Sequence, residues 1–136
     1  MIYNLIFIGF MILFSLYDIK SRTIPNRLLI AFLIFVCIIG CIQQYSFLTA
    51  FLGMIIVSLP MCLFYKSNKI GGGDIKLTAI MGIYLGFNCM IITFLIAFLI
   101  CLFYYFIQCI FKNTQGIPLA PFLCMGAIIT IFIGGF

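Results

Sequence analysis

The stretch Met90-Ile91-Ile92-Thr93-Phe94-Leu95-Ile96-Ala97-Phe98-Leu99-Ile100 holds one polar side chain in eleven residues and no alternation of apolar with polar positions. A membrane β-strand alternates over about 10 residues, whereas a lipid-spanning helix is apolar on all sides. Outward from this run the whole chain has the same character. It is 67% hydrophobic and 7% charged, with a mean hydropathy of +1.42. Soluble domains carry roughly 25% charged residues. Backbone groups in hydrocarbon must be satisfied within their own segment, so the spans are expected to be helices. The fold class expected is an all-α polytopic membrane protein, with residues 1–136 forming a single transmembrane domain.

Six apolar runs divide the chain. The first, Met1 to Tyr17, has neither a basic leader nor a small-residue cleavage site and reads as a retained helix. Its polar residues Asn4, Ser15 and Asp18 fall within about 60° of one another on a helical wheel, so this face is expected to look into the protein. A short basic loop follows, and Pro25 is placed to begin the second span, Leu28 to Ile42. The third run is Phe47 to Tyr65, with Pro60 as an expected kink. The fourth, Asp74 to Phe87, is short, and its Gly82 and Gly86 allow a neighbouring helix to approach closely. Asn88 interrupts before the fifth run, which continues to Phe111. Pro118 and Pro121 open the sixth.

Six crossings place Lys20, Arg22, Arg27, Lys66, Lys69, Lys76 and Lys112 on one side and no basic residue on the other. That asymmetry marks the basic side as cytoplasmic, with the N-terminus and C-terminus both outside. If the short fourth run did not cross, Lys112 would be stranded on the far side.

The chain has two acidic side chains, Asp18 and Asp74, and no Glu or His. In the six-span topology both lie at the same cytoplasmic level. Carboxylates next to hydrocarbon are costly and mark function. Two that face each other share a proton; the ionised one can take a proton from water while the neutral one polarises a carbonyl. Each also has a structural explanation: Asp74 is a good N-cap for the fourth helix, and Asp18 can be a juxtamembrane charge screened by Lys20 and Arg22. That the only two acids share one level, one of them after Gly71-Gly72-Gly73, favours the paired reading. Three glycines make a poor helix interior and are expected to form a loop whose bare backbone can bind an extended peptide.

Absences narrow the chemistry. Without His there is no Ser-His protease and no H-E-x-x-H metal site. The seven cysteines have no C-x-x-C spacing, so no metal site and no cofactor is expected. The glycines fit neither a P-loop nor a dinucleotide fingerprint, and nothing beyond the basic loops, which suit anionic headgroups, points to nucleic acid.

Three blocks carry a resemblance: Asp18-Ile-Lys-Ser-Arg-Thr-Ile-Pro25-Asn26, then Gly71-Gly-Gly-Asp74-Ile-Lys76, then Ile117-Pro118-Leu-Ala-Pro121-Phe122. In this order they resemble the type IV prepilin peptidases, membrane aspartic proteases of the G-x-G-D class. The resemblance implies Asp18 and Asp74 as the catalytic pair, with Pro25, Asn26, Pro118 and Pro121 as structural motif positions. It implies prepilin-like substrates whose short basic leader is removed at the cytoplasmic face. Presenilin-type proteases also pair Tyr-Asp with G-x-G-D, but their blocks match less well. Longer bacterial members carry a cysteine-rich zinc segment between the first two helices and N-methylate the new terminus. Here that loop is about eight residues without Cys, which implies peptidase activity without methyl transfer. The alternatives are another G-x-G-D leader protease or a non-enzymatic membrane subunit of a pilus or secretion assembly.

Overall fold

In the computed structural model the described residues are 2–21, 24–44, 46–65, 71–110 and 119–134, and they are helical apart from short connecting turns. The helices are α1 (Ile2–Ser21), α2 (Asn26–Ile42), α3 (Phe47–Tyr65), α4 (Gly72–Ile110) and α5 (Ala120–Gly134). Of these, α1 and α4 are long and apolar enough to cross a membrane, and α2 and α5 are shorter apolar helices. The chain divides into two compact units. One comprises Met1–Arg22 with Ile92–Phe136, and the other Thr23–Ile91.

The boundaries follow from local chemistry. Pro25 is the N-cap of α2, one residue ahead of the first helical position, and its carbonyl accepts the N–H groups of Leu28 and Leu29. At the far end the Gln43 N–H returns to the Ile39 carbonyl at 2.8 Å. The third apolar run and α3 coincide, and Pro60 lies inside that helix. Helix α1 extends one turn past Tyr17, so Asp18 stands within the helix, with the Ser21 hydroxyl bonded to the Tyr17 carbonyl.

The expected break between the fourth and fifth runs falls at Gly86, two residues before Asn88, inside the element designated α4. Gly86 has φ 70° and ψ 179°, a region open essentially to glycine alone. Asn88 itself is helical. A short polar side chain can bond within a helix, whereas only a residue without Cβ takes this backbone conformation at little cost.

In the unit containing α2, α3 and the start of α4, the α2 residues Leu29, Phe32, Val36 and Ile39 are buried at three- and four-residue spacings. The close approach expected at Gly82 is made by α3, through Gly53. A Cβ on Gly82 would overlap the Gly53 carbonyl, and one on Gly53 would lie 2.7 Å from the Gly86 carbonyl carbon. Backbones meet there with no side chain between them. The Thr78 hydroxyl, fully buried, donates back to its own helix at the Asp74 and Ile75 carbonyls and lies 3.6 Å from the Met61 sulfur.

In the other unit α1 packs against α5. The buried positions of α1 are Phe7, Met11, Phe14 and Asp18, on the face that carries Asn4 and Ser15. The expectation that this face looks inward holds. Thr93 of α4 donates to the Thr130 hydroxyl of α5 at 2.9 Å, and Thr130 donates to the Gly126 carbonyl at 2.8 Å. Gly126 makes that approach possible, since a Cβ there would lie 2.5 Å from the Thr93 carbonyl oxygen.

The surface left by this packing is apolar to a degree that water does not tolerate. Phe47, Phe132, Ile133 and Ile2 are each more than 70% exposed, and many further Leu, Ile and Phe side chains are exposed along every helix. Lipid is the solvent that suits such a surface. The glycine contacts yield a test. Gly82→Ala is expected to destabilise by about 1–3 kcal/mol through forced separation of α3 and α4. Gly86→Ala should cost about as much through backbone strain. Gly9→Ala, with nothing within 4 Å, should be neutral. Denaturant unfolding in micelles, read by far-UV circular dichroism, checks all three.

Candidate functional site

Asp18 is 5% exposed, at the end of the buried stripe of α1. Its Oδ2 accepts the backbone N–H of Ala120 at 3.0 Å. Ala120 opens α5, where the first N–H groups have no partner within their own helix. The carboxylate therefore satisfies a donor that hydrocarbon would leave unpaired, and the positive end of α5 faces a negative group. Such a bond to a charged acceptor is among the stronger ones available to a buried carboxylate. The surroundings differ from those of a juxtamembrane charge screened by neighbouring cations. The acceptor is buried, and its partner comes from the far end of the chain.

Asp74 stands in the first turn of α4. The helix begins at Gly72, so Gly71 takes the cap position and Asp74 the third helical one; the N-cap assignment for Asp74 is corrected accordingly. The Asp74 N–H donates to the Gly71 carbonyl at 3.1 Å. A Cβ on Gly71 would lie 3.3 Å from Asp74 Oδ2, which shows the carboxylate folded back over the cap residue. An acid in the first turn is favoured by the helix dipole. The glycine loop expected over Gly71–Gly73 is likewise shorter than expected, because Gly72 and Gly73 are helical. Their cost is small in a first turn, where the amides lack intrahelical partners in any case, and Asp74 offsets part of it.

Gly73 has a packing role as well. A Cβ there would lie 3.1 Å from the Ile24 Cβ. Ile24 directly precedes Pro25 and Asn26, and Asn26 Oδ1 accepts a hydrogen bond from Lys76 Nζ at 3.3 Å. The second half of the first sequence block thus packs on the second block. The first half, Asp18, bonds to Ala120 in the third. Pro121 lies in the first turn of α5, while Pro118 is outside the described residues.

Asp18 belongs to one compact unit and Asp74 to the other. Sequence reasoning missed three partners: Ala120, Gly53 and the Lys76–Asn26 pair. The signal for Ala120 was its place in Pro118-Leu-Ala-Pro121, where two prolines mark a helix start and hence unpaired N–H groups. Lys76 and Asn26 both lie inside the quoted blocks, but nothing in the spacing joins them.

Comparison with known proteins bears on the same blocks. Residues 5–106 match the model of the type IV leader peptidase family, a span that includes both aspartates. The chain is 30% identical over 135 residues to the prepilin leader peptidase/N-methyltransferase of Bacillus subtilis (strain 168). That alignment covers 95% of this chain and 54% of the relative, so the chain spans about half the length of the curated relative it matches. No solved structure matches. With three quarters of its length inside the family model and a buried aspartate at the first block, this chain belongs to the type IV leader peptidase family.

Proposed function

We propose that this chain is an intramembrane aspartic endopeptidase that removes the short basic leader of prepilin-like precursors, with Asp18 and Asp74 acting as its catalytic pair. The observation that carries the reading is Asp18, a buried carboxylate held by a helix-start N–H, in a family member whose other acid is Asp74. A structural carboxylate could be replaced in such a place by any neutral acceptor. A chain with so few acids that buries one of them spends an uncommon side chain on a costly site.

In the reaction, the ionised aspartate removes a proton from water as its oxygen attacks the scissile carbonyl. The neutral aspartate gives its proton to the carbonyl oxygen, and a tetrahedral diol forms. As the diol collapses, the C–N bond breaks, the leaving amine takes a proton from the first carboxyl and the second recovers its own. The pair ends as it began, sharing one proton. No metal enters the scheme. The Gly71–Gly73 segment is assigned to the substrate's extended backbone, the role its bare amides suit.

The rest of the reading is built on the charge pattern. Six spans, with the break at Gly86 separating two of them, leave both termini outside and the basic loops in the cytoplasm of a cell-membrane protein. Residues 1–136 then act as one peptidase domain. The short connection from α1 to α2, free of Cys, supports peptidase action without methyl transfer.

Each of Asp18→Asn and Asp74→Asn is expected to abolish cleavage of a co-expressed pilin-like precursor, by at least about 10³-fold, with the protein still present in the membrane. A variant that cleaves at the wild-type rate defeats the paired mechanism, whereas a wild type inert on every pilin-like precursor favours a non-enzymatic assembly subunit. Ala120→Pro removes the N–H that Asp18 accepts at a helix position where proline is tolerated. It should lower the cleavage rate about 10-fold or more while Ala120→Gly, which keeps the N–H, stays close to wild type; a precursor-processing time course compares them. The purified protein should transfer no methyl group from radiolabelled S-adenosylmethionine to the new terminus.

A further inference from the structure

Within the unit formed by α2, α3 and the first half of α4, an open groove of about 440 Å³ runs beside Leu29, Ile30, Leu33, Ile80 and Ile83. Its wall is apolar except at one end, where Lys76 Nζ donates to Asn26 Oδ1. A second cavity of about 550 Å³, reaching Gln44 and Phe47, shares Met54 and Ile83 with the first. Both lie along α2, the first beside its start at Asn26 and the second toward its end.

We propose that this groove is a binding site for an anionic phospholipid, with the phosphate at Lys76 and Asn26 and an acyl chain along Leu33 and Ile80. Shape and charge choose this occupant. The groove is open along its length and walled by Leu29, Ile30, Leu33, Ala79, Ile80 and Ile83, a lining that suits an acyl chain. The mouth is cationic, with Lys76 beside the first turn of α2 and exposed Arg27 in that turn. A basic leader peptide would meet like charges there. A phosphate meets opposite charge and donors: the Asn26 carbonyl is taken by Lys76, which leaves the Asn26 amide N–H groups and two ammonium hydrogens to bond outward. Lysine near an anionic headgroup contributes about a fivefold gain in affinity. The depth also agrees. Asn26 opens α2 and Lys76 lies near the start of α4, and the ends of apolar helices sit at headgroup level.

The site is independent of the peptidase reading, because its test reads lipid and not cleavage. Delipidated protein in micelles is titrated with phosphatidylglycerol or phosphatidylcholine of identical acyl chains, and bound lipid is counted by native mass spectrometry. Wild type is expected to retain phosphatidylglycerol about fivefold or more over phosphatidylcholine. Lys76→Gln should bring the two lipids level. Leu33→Trp, at a position already 38% exposed and so able to accept bulk, should lose both. The proposal is overturned if wild type holds the two lipids equally, if Lys76→Gln keeps the preference, or if folded Leu33→Trp keeps its lipid. It is overturned as well if the protein is a dimer whose dissociation is needed before lipid binds, since a second copy then occupies the groove.

Discussion

Hydrocarbon offers no hydrogen bonds, so each polar group taken into it must find a partner inside the protein. Much of this structure is an answer to that demand. Thr78 and Ser58 turn their hydroxyls back onto carbonyls of their own helices. Thr93 donates to the Thr130 hydroxyl, and Thr130 donates in turn to the Gly126 carbonyl. Asp18 meets the demand at its most severe, as a carboxylate, and meets it with an N–H that has the same need. Among the described residues no buried side-chain nitrogen or oxygen lacks a hydrogen-bond partner. Where side chains could not be paired they were removed: the α3–α4 and α4–α5 contacts rest on glycine.

The same physics explains what could be read from the residues in advance. The apolar runs gave helix positions to within a few residues, because a span has few places to stop. Phe47 to Tyr65 is bounded by polar residues on both sides and was readable at both ends. The inward face of α1 was readable too, since three polar residues on one side of an apolar helix have only one place to go. The exact seat of the α4 break was not. Asn88 is the more polar residue, but backbone freedom decides, and that belongs to Gly86. The Gly71–Gly73 segment failed for a related reason: glycine's penalty is an interior property, and these glycines occupy a first turn.

The candidate site divides in the same way. Both aspartates stood out by composition, and their blocks placed the chain in its family. Their immediate partners did not stand out, because backbone donors have no identity in a sequence. Ala120 contributes an N–H that any residue except proline would carry, so its side chain says nothing about its role. Lys76 and Asn26 are 50 positions apart, and they meet where Gly73 packs on Ile24, at the starts of α4 and α2.

The Asp18–Ala120 bond joins residues 102 positions apart, with the acceptor in α1 and the donor in α5. At ribosomal rates of about 5–20 residues per second, the acceptor waits roughly 5–20 s for its partner to be made. During that interval α1 holds a carboxyl with no α5 to receive it. The Asp18 side chain is therefore held only once α5 has been made. A chain stopped short of α5 has Asp18 in place but not held, so the order of synthesis itself delays the settling of this carboxyl.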